Sequence, residues 1–487
     1  MEKGSGMDVD VTVVGSGPNG LAAAVIAARA GLSVRLIERA GRVGGGLRTA
    51  ELTLPGFRHD VCSAVHPMAM VSPFFRDWEL ERRVPLIVPE ASYGHPLDGG
   101  RAGIAWRDLA RTADALGEDG PAWTRLLGPL VDDLDAVGEV AGATLFRRPE
   151  HLRTILRLGV RTLAEGGPGW NAPFSGEVAP ALFTGVAAHM AGHHPSLSTA
   201  GVGLVMATYG HGRGWPIPVG GSQAIADALV ADLGAHGGKV VLGVEIQDLA
   251  EVAGSRAVLL DVGVPGLLDI GGNRLPDRYR KALGRFRYGT GVCKVDFALS
   301  APVPWAHPDL ARAGTLHLGG TRAEIAAAEN AVLAGKHPER PYVLVTQPSL
   351  VDPSRAPAGK HVLWAYTHVP RGSLEDRSEA IVHQIERFAP GFRETILAQR
   401  TTLAMEMAAA NPNYPGGDIA SGAVSMVQMV KRPVLSPAPW RTPLPGVYLC
   451  SAATPPGPAV HGMGGYHAMR LALREVFGIE EMPSLAR

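Results

Sequence analysis

The sequence predicts an α/β fold built around a dinucleotide-binding βαβ unit, and three features carry that expectation. An apolar β-type run, Asp10 to Val14, opens directly into the glycines of VVGSGPNG. An alanine-rich helical run, Leu21 to Ala30, follows and is stopped by Gly31. A second β-type run, Ser33 to Ile37, then leads to an acid, Glu38.

Each part has a physical task. Gly15, Gly17 and Gly20 form G-x-G-x-x-G, with Pro18 and Asn19 between the last two glycines. Gly15 permits the turn, Gly17 lets backbone approach a pyrophosphate, and Gly20 lets the helix sit close to the sheet. Open amides at the helix start receive the negative phosphates. Glu38 accepts hydrogen bonds from an adenosine ribose diol. An ordinary βαβ corner explains the glycines but not an acid at that position.

The continuation favours FAD over NAD. RAGRVGGGLRT, residues 39 to 49, is followed by PGFRHD at 55 to 60. Arg39 begins that stretch, Gly45 and Gly46 keep a loop near the pyrophosphate, and Arg48 and Thr49 offer donors. Many NAD sites use only the first βαβ element.

The remaining composition limits the alternatives. The chain has 487 residues, enough for two or three domains with substantial cores. Its 46 basic residues match 46 acidic ones, so no global charge attracts nucleic acid. Cys62, Cys293 and Cys450 are far apart, which argues against a disulfide framework or zinc cluster and suits a reducing compartment. The acidic, glycine-containing N-terminus is unlike a secretory signal. No run reaches the 18 or so apolar residues of a membrane span. VAPALFTGVAAHMAG, 178 to 192, reads as a buried helix.

Beyond residue 66 the chain leads towards a second region. Residues 103 to 165 read as mainly helical. Pro218 to Ser222 suggests a turn before a helix, Gln223 to Leu233, and a β-type run, Lys239 to Gly243. Residues 252 to 270 retain β-type runs. Strand patterns at 289 to 299, 342 to 350 and 361 to 369 suggest a mixed sheet, and 381 to 390 a helix ending at Pro390. Near the C-terminus, VYLC reads as a strand and GYHAMRLALREVF as a helix. The turn between them, with Ser451, Ala452, Gly462, Met463 and Gly464, offers amides to a flavin ring.

GSGPNG, ERAGRVGGGLRT, PGFRHD and the C-terminal motif resemble the FAD-dependent phytoene desaturase and carotenoid isomerase superfamily. The closer resemblance is to its soluble, pyridine nucleotide-disulfide oxidoreductase domain 2-like branch. It implies non-covalent FAD in a glutathione-reductase-type Rossmann fold, with a mixed-sheet and helical substrate domain. It also implies that Val244 sets backbone beside the adenine. Ser451-Ala452-Ala453 departs from the glycine and acid found in many relatives, so the phosphate contacts there are open. The expected division is an FAD-binding domain from 8–75, 214–288 and 437–487, and a substrate domain from 76–213 and 289–436.

Such a cofactor suits a dehydrogenase or oxidase that forms a double bond in a small hydrophobic or conjugated metabolite by hydride transfer to flavin N5. Oxygen, a quinone or another acceptor reoxidises the flavin. A redox-neutral carotenoid-like isomerase, an amine oxidase and a catalytically weak, partner-binding flavoprotein are the alternatives. His66 and His461 are the candidate catalytic side chains, able to exchange protons or orient substrate. Either is also explained by a structural hydrogen bond. Tyr209, His211, Trp215, Tyr366 and His368 are candidate pocket residues, as aromatic and polar groups that orient a planar substrate. His189, His193 and His194 lack the ligand pattern of a metal site. A cytoplasmic protein without nucleic-acid partners is expected, with transient membrane contact and a homo-oligomer left open.

Overall fold

The computed structural model describes residues 9–143, 151–170 and 172–487. The start of the N-terminal run read above, residues 1–8, lies outside them. Five parallel strands form the first sheet, in the order Val447–Leu449, Ala257–Leu260, Val11–Val14, Val34–Glu38 and Lys239–Leu242. The central strand, VTVV, is buried along its whole length, which is why it lacks polar alternation.

The opening helix, Pro18–Arg29, is buried from Asn19 to Ala28. Alanine on every side lets it fit between the helix Gln223–Ala235 and the closing helix Met463–Phe477. The approach is closest at its first turn. A Cβ on Gly20 would lie 2.1 Å from Gly15 O, and one on Gly465 would lie 1.9 Å from Asn19 O. Gly464 N–H donates to Asn19 Oδ1 at 3.0 Å, so residues from opposite ends of the chain interlock.

A seven-stranded mixed sheet forms the second layer. Its order is Ile396–Thr402, Gly291–Leu299, His361–Val369, Val343–Thr346, Ala313–Leu318, Ala91–Leu97 and Arg101–Trp106. One face sends Phe297, Leu316, Val345 and Leu363 into a core completed by Ile381, Ile385 and Phe388 of the helix Ser378–Phe388. The other face is buried yet polar. Cross-strand register sets Tyr93, Thr315, Thr346 and Trp364 in one row, and Leu344 and Tyr366 beside Lys294. Helices Val178–Ala187 and Leu197–Gly212 lie over its 91–106 edge.

Arg355 joins the two layers. Its guanidinium, fully buried, pairs with Asp60 from the nucleotide-sheet side and with Asp352, 3.2 Å away. Asp60 also accepts from Thr49 Oγ1 at 2.7 Å and from Ser222 N–H at 2.8 Å. Every oxygen of this buried acid is thereby engaged.

Three segments differ from expectation. Of 342–350 only Val343–Thr346 is strand, because proline opens a single helical turn at Pro348–Leu350. Residues 101–106 are a strand, and helix begins only at Leu109, where Asp108 accepts from Ala110 and Arg111 amides. Pairing with Ala91–Leu97 overrides the helical preference of the segment's start. Between 252 and 270 only Ala257–Leu260 is strand; Val264–Gly271 is a helix with proline in its first turn.

Gly465→Ala is expected to destabilise the protein by about 3 kcal/mol, because two backbones already touch at that point. Gly234→Ala, where a methyl meets open space, is expected to be neutral or to gain about 0.5 kcal/mol. Denaturant unfolding of both variants checks the contrast.

Candidate functional site

The two sheets enclose a cavity of about 1010 Å³. That is at the top of the roughly 300–1,000 Å³ range of ordinary ligand sites, so it has room for a cofactor and a substrate. The Gly15–Asn19 corner, Glu38, Arg39, Gly45, Gly46, Arg48, Val244, Ser451 and Ala452 all line it. Four separated stretches of sequence thus converge on one wall.

The glycine corner is a cradle that side chains would fill. Gly15 has φ +99°, and its Cβ would lie 2.7 Å from Asp261 O; a Cβ on Gly17 would lie 2.6 Å from Asp261 Oδ2. Glu38 stands at the end of its strand and holds the turn from below. Its carboxylate accepts from Ser16 N–H at 3.0 Å, Ser16 Oγ at 2.6 Å and Ala40 N–H at 2.8 Å. These residues fit an ADP-bearing cofactor: bare backbone for phosphates and an acid for the ribose. Val244 follows its strand in a loop and is half-exposed, and its N–H is bonded to Glu38 O.

Asp261, at the end of the strand Ala257–Leu260, was not foreseen. It lines the cavity inside the glycine corner and accepts from Gly20 N–H at 3.0 Å. Burial, reinforced by the Glu38 carboxylate, pushes its carboxyl up to about 7. A lone acid in a strand-end sequence, LLDVG, carries no signal of this proximity. Arg432 is a second unforeseen liner. It is buried and donates to the carbonyls of Ala452, Ala420 and Ser421, and burial lowers it to about 10.

Several expected site residues lie elsewhere. Gly20 and Thr49 do not reach the cavity: Gly20 packs on Gly15, and Thr49 bonds Asp60. Gly462, Met463 and Gly464 also stand back, because their turn is committed internally. Met463 N–H donates to His461 Nδ1 at 3.0 Å, and Gly464 N–H to Asn19. Pro455, Pro458 and Val460 line the cavity in their place.

The histidines divide in the same way. His461 has both ring nitrogens engaged, Nδ1 by Met463 and Nε2 by Gly457 O at 3.2 Å; it holds the loop and does not line the cavity. His66 does line it. Ser222 Oγ donates to Ser63 O, which makes it the acceptor of His66 Nε2–H at 2.8 Å. Burial lowers His66 to about 3, so the ring is neutral at physiological pH rather than a proton exchanger near 7.

Trp215 and Tyr366 line the cavity. Trp215 packs edge-on to His189, another liner, and Tyr366 edge-on to Trp364 at 5.2 Å. Tyr209, His211 and His368 sit behind the wall. Tyr209 is buried in the helical core, His211 is held by Trp106 O and Trp123 Nε1, and His368 pairs with Glu329 at 2.8 Å. His368 shares the strand face of Tyr366 but lies two residues further along. Tyr209 continues the helix stripe of Val202, Val205 and Met206 one turn beyond the cavity, so position along the element decides which ring reaches the space. Among the described residues no His, Cys, Asp and Glu group is arranged to hold a metal ion.

The FAD dependent oxidoreductase family matches residues 10–76. Rat pyridine nucleotide-disulfide oxidoreductase domain-containing protein 2 is 26% identical over 96% of this chain and 94% of its own length. Among solved structures, putrescine oxidase bound to putrescine is 18% identical, with a TM-score of 0.59 over 97% of this chain and 98% of that one. Cyclohexylamine oxidase from Brevibacterium oxydans is 14% identical, with a TM-score of 0.56 over 97% and 99%. The last two likenesses are of fold. The cofactor is FAD.

Asp261 gives this site a pH dependence. Its carboxyl sits near 3.8 unfolded and about 7 folded, so stability falls as pH rises between these values and the loss is complete above them. Asp261→Asn, which keeps an acceptor for Gly20, is expected to raise the melting temperature of apoprotein at about pH 8 and hardly at all at about pH 4. FAD affinity of the native protein should weaken about tenfold between about pH 6 and pH 9, and that of the variant should stay flat. Parallel profiles by fluorescence titration would show that this acid does not face the phosphates.

Proposed function

We propose that this FAD-dependent oxidoreductase, a relative of pyridine nucleotide-disulfide oxidoreductase domain-containing protein 2, dehydrogenates a small, uncharged hydrophobic metabolite to form a double bond. The observation that carries the proposal is the charge distribution of the cavity wall. Among the described residues every carboxylate on that wall, Glu38, Glu245, Asp261 and Asp269, comes from the nucleotide-sheet side. The opposite side is Thr315, Leu344, Thr346, Trp364 and Tyr366 from the mixed sheet, with His66, His189, Met206 and Trp215. Burial lowers both His66 and His189 to about 3, so neither adds charge. A cationic amine would find no counter-ion there, which favours a neutral substrate over an amine.

FAD, when bound, supplies a two-electron acceptor that takes a hydride. The chain's own residues bind and orient. In this reading Gly15, Gly17, Pro18, Asn19, Glu38, Gly45, Gly46 and Arg48 hold the cofactor. Trp364 and Tyr366, set edge to face, confine a planar or conjugated substrate. Neutral His66 is held on both ring nitrogens, Nε2–H by Ser222 and the unprotonated Nδ1 by the Ser63 hydroxyl at 3.5 Å. The second is a long contact that a substrate hydroxyl would displace, and Met206 and Leu344 exclude water. In the same reading the FAD-binding domain comprises 8–75, 214–288 and 437–487, and the substrate domain 76–213 and 289–436. No described helix is long and apolar enough to cross a membrane. We place the protein in the cytoplasm, with oxygen, a quinone or another carrier as electron acceptor.

Anaerobic titration of the holoprotein tests the reading. Neutral cyclic or conjugated carbonyl compounds and alkenes should bleach the oxidised flavin and yield products lacking two hydrogens. Bleaching by amines alone would support the amine oxidase alternative, and rearranged product from prereduced protein the isomerase. Tyr366→Ala is expected to raise KM about tenfold while FAD content is unchanged. Steady-state kinetics beside the visible spectrum separates the two effects.

A further inference from the structure

The helix Leu152–Gly166 is built the wrong way round for water. Leu152, Leu156, Val160 and Leu163 recur at i, i+4, i+8 and i+11, and they are 56%, 58%, 64% and 63% exposed. They make one continuous apolar stripe, widened by Ile155. The polar side turns inward: Thr154 and Glu165 are buried, and Thr162 lines the cavity with Leu158. Soluble proteins seldom leave such a stripe uncovered.

A second exposed apolar group lies across the adjoining end of the cavity. Met426 and Val427 are exposed, and Met426 also lines the cavity. The start of the helix Leu197–Gly212 joins the two groups. Gly201 sits against Thr162, and Ser198 Oγ donates to Val424 O. One end of the cavity is therefore framed by both apolar surfaces.

We propose that this face seats on an anionic lipid bilayer, with the cavity opening beside the contact. Charge selects that occupant. Arg153 and Arg157 flank the stripe on its exposed side, whereas Glu165, the helix's one acid, is turned inward. Arg153 has no ion-pair partner among the described residues, and Arg157 has only Asp133 at 4.0 Å. In a two-fold pairing with a second copy, the same arginines would be brought near one another around the stripe. Anionic headgroups match them, while the leucines and valine enter the acyl boundary as in an interfacial helix.

Flotation of the FAD-loaded protein with vesicles of phosphatidylcholine, with or without phosphatidylglycerol, tests this. The native protein should float with the mixed vesicles and far less with phosphatidylcholine alone. Leu156→Glu combined with Val160→Glu should lower binding about tenfold or more, with the flavin spectrum and melting temperature unchanged. Arg153→Gln with Arg157→Gln should weaken binding to the anionic vesicles by on the order of tenfold. A native protein that stays soluble with both vesicles overturns the proposal, as does undiminished flotation of the glutamate variant. A native dimer by light scattering that the glutamates dissociate, without any flotation, would assign the face to a second copy. None of these outcomes depends on which substrate is oxidised.

Discussion

The site depends on the contact between the first turns of the opening and closing helices. Gly465 meets the Asn19 carbonyl with no room for a methyl group, and the Asn19 side chain receives the Gly464 amide. This approach draws Val447–Leu449 into the nucleotide sheet beside Ala257–Leu260 and brings Ser451 and Ala452 to the cavity wall. It also takes up the Gly464 amide, while His461 takes that of Met463. The loop's prolines, not its helix N-terminus, therefore face the space.

Electrostatics divide the cavity between the two layers. The nucleotide side concentrates carboxylates, one of them pushed up to about 7 within the glycine corner. The mixed-sheet side is polar in residue type but carries no free charge. Lys294 is paired with Asp296 on the same sheet face, and the Arg355 guanidinium is spent on Asp60 and Asp352. Buried charges cancelled locally leave a neutral floor, which suits a substrate recognised by shape and ring contacts.

The inverted helix ties this interior to the surface. Its inward residues complete the cavity, and its outward leucines leave an apolar stripe in solvent at the same end. An uncharged hydrophobic substrate and an apolar surface beside the cavity make one consistent physical picture. Each part stands on separate observations, the wall's charge distribution and the helix's exposure.

Local pattern was enough to read the βαβ unit from Val11 to Glu38, the helix–strand return at 223–242 and the terminal strand and helix. In each, apolar period and glycine position lie within a few turns of chain, and in the first the acid Glu38 does too. Long-range placement was not legible. Asp261, Arg432 and the Arg355–Asp60 pair come from distant segments, and no short motif records that they meet. The same limit separated Trp215 and Tyr366, which reach the cavity, from Tyr209, His211 and His368, which do not. By itself the sequence determined the cofactor and the nucleotide fold, because phosphate-binding turns demand particular residues at fixed spacing. Only the tertiary structure decided which side chains line the cavity, because that follows from where along each packed strand and helix a residue falls, to which an aromatic or a histidine is locally indifferent.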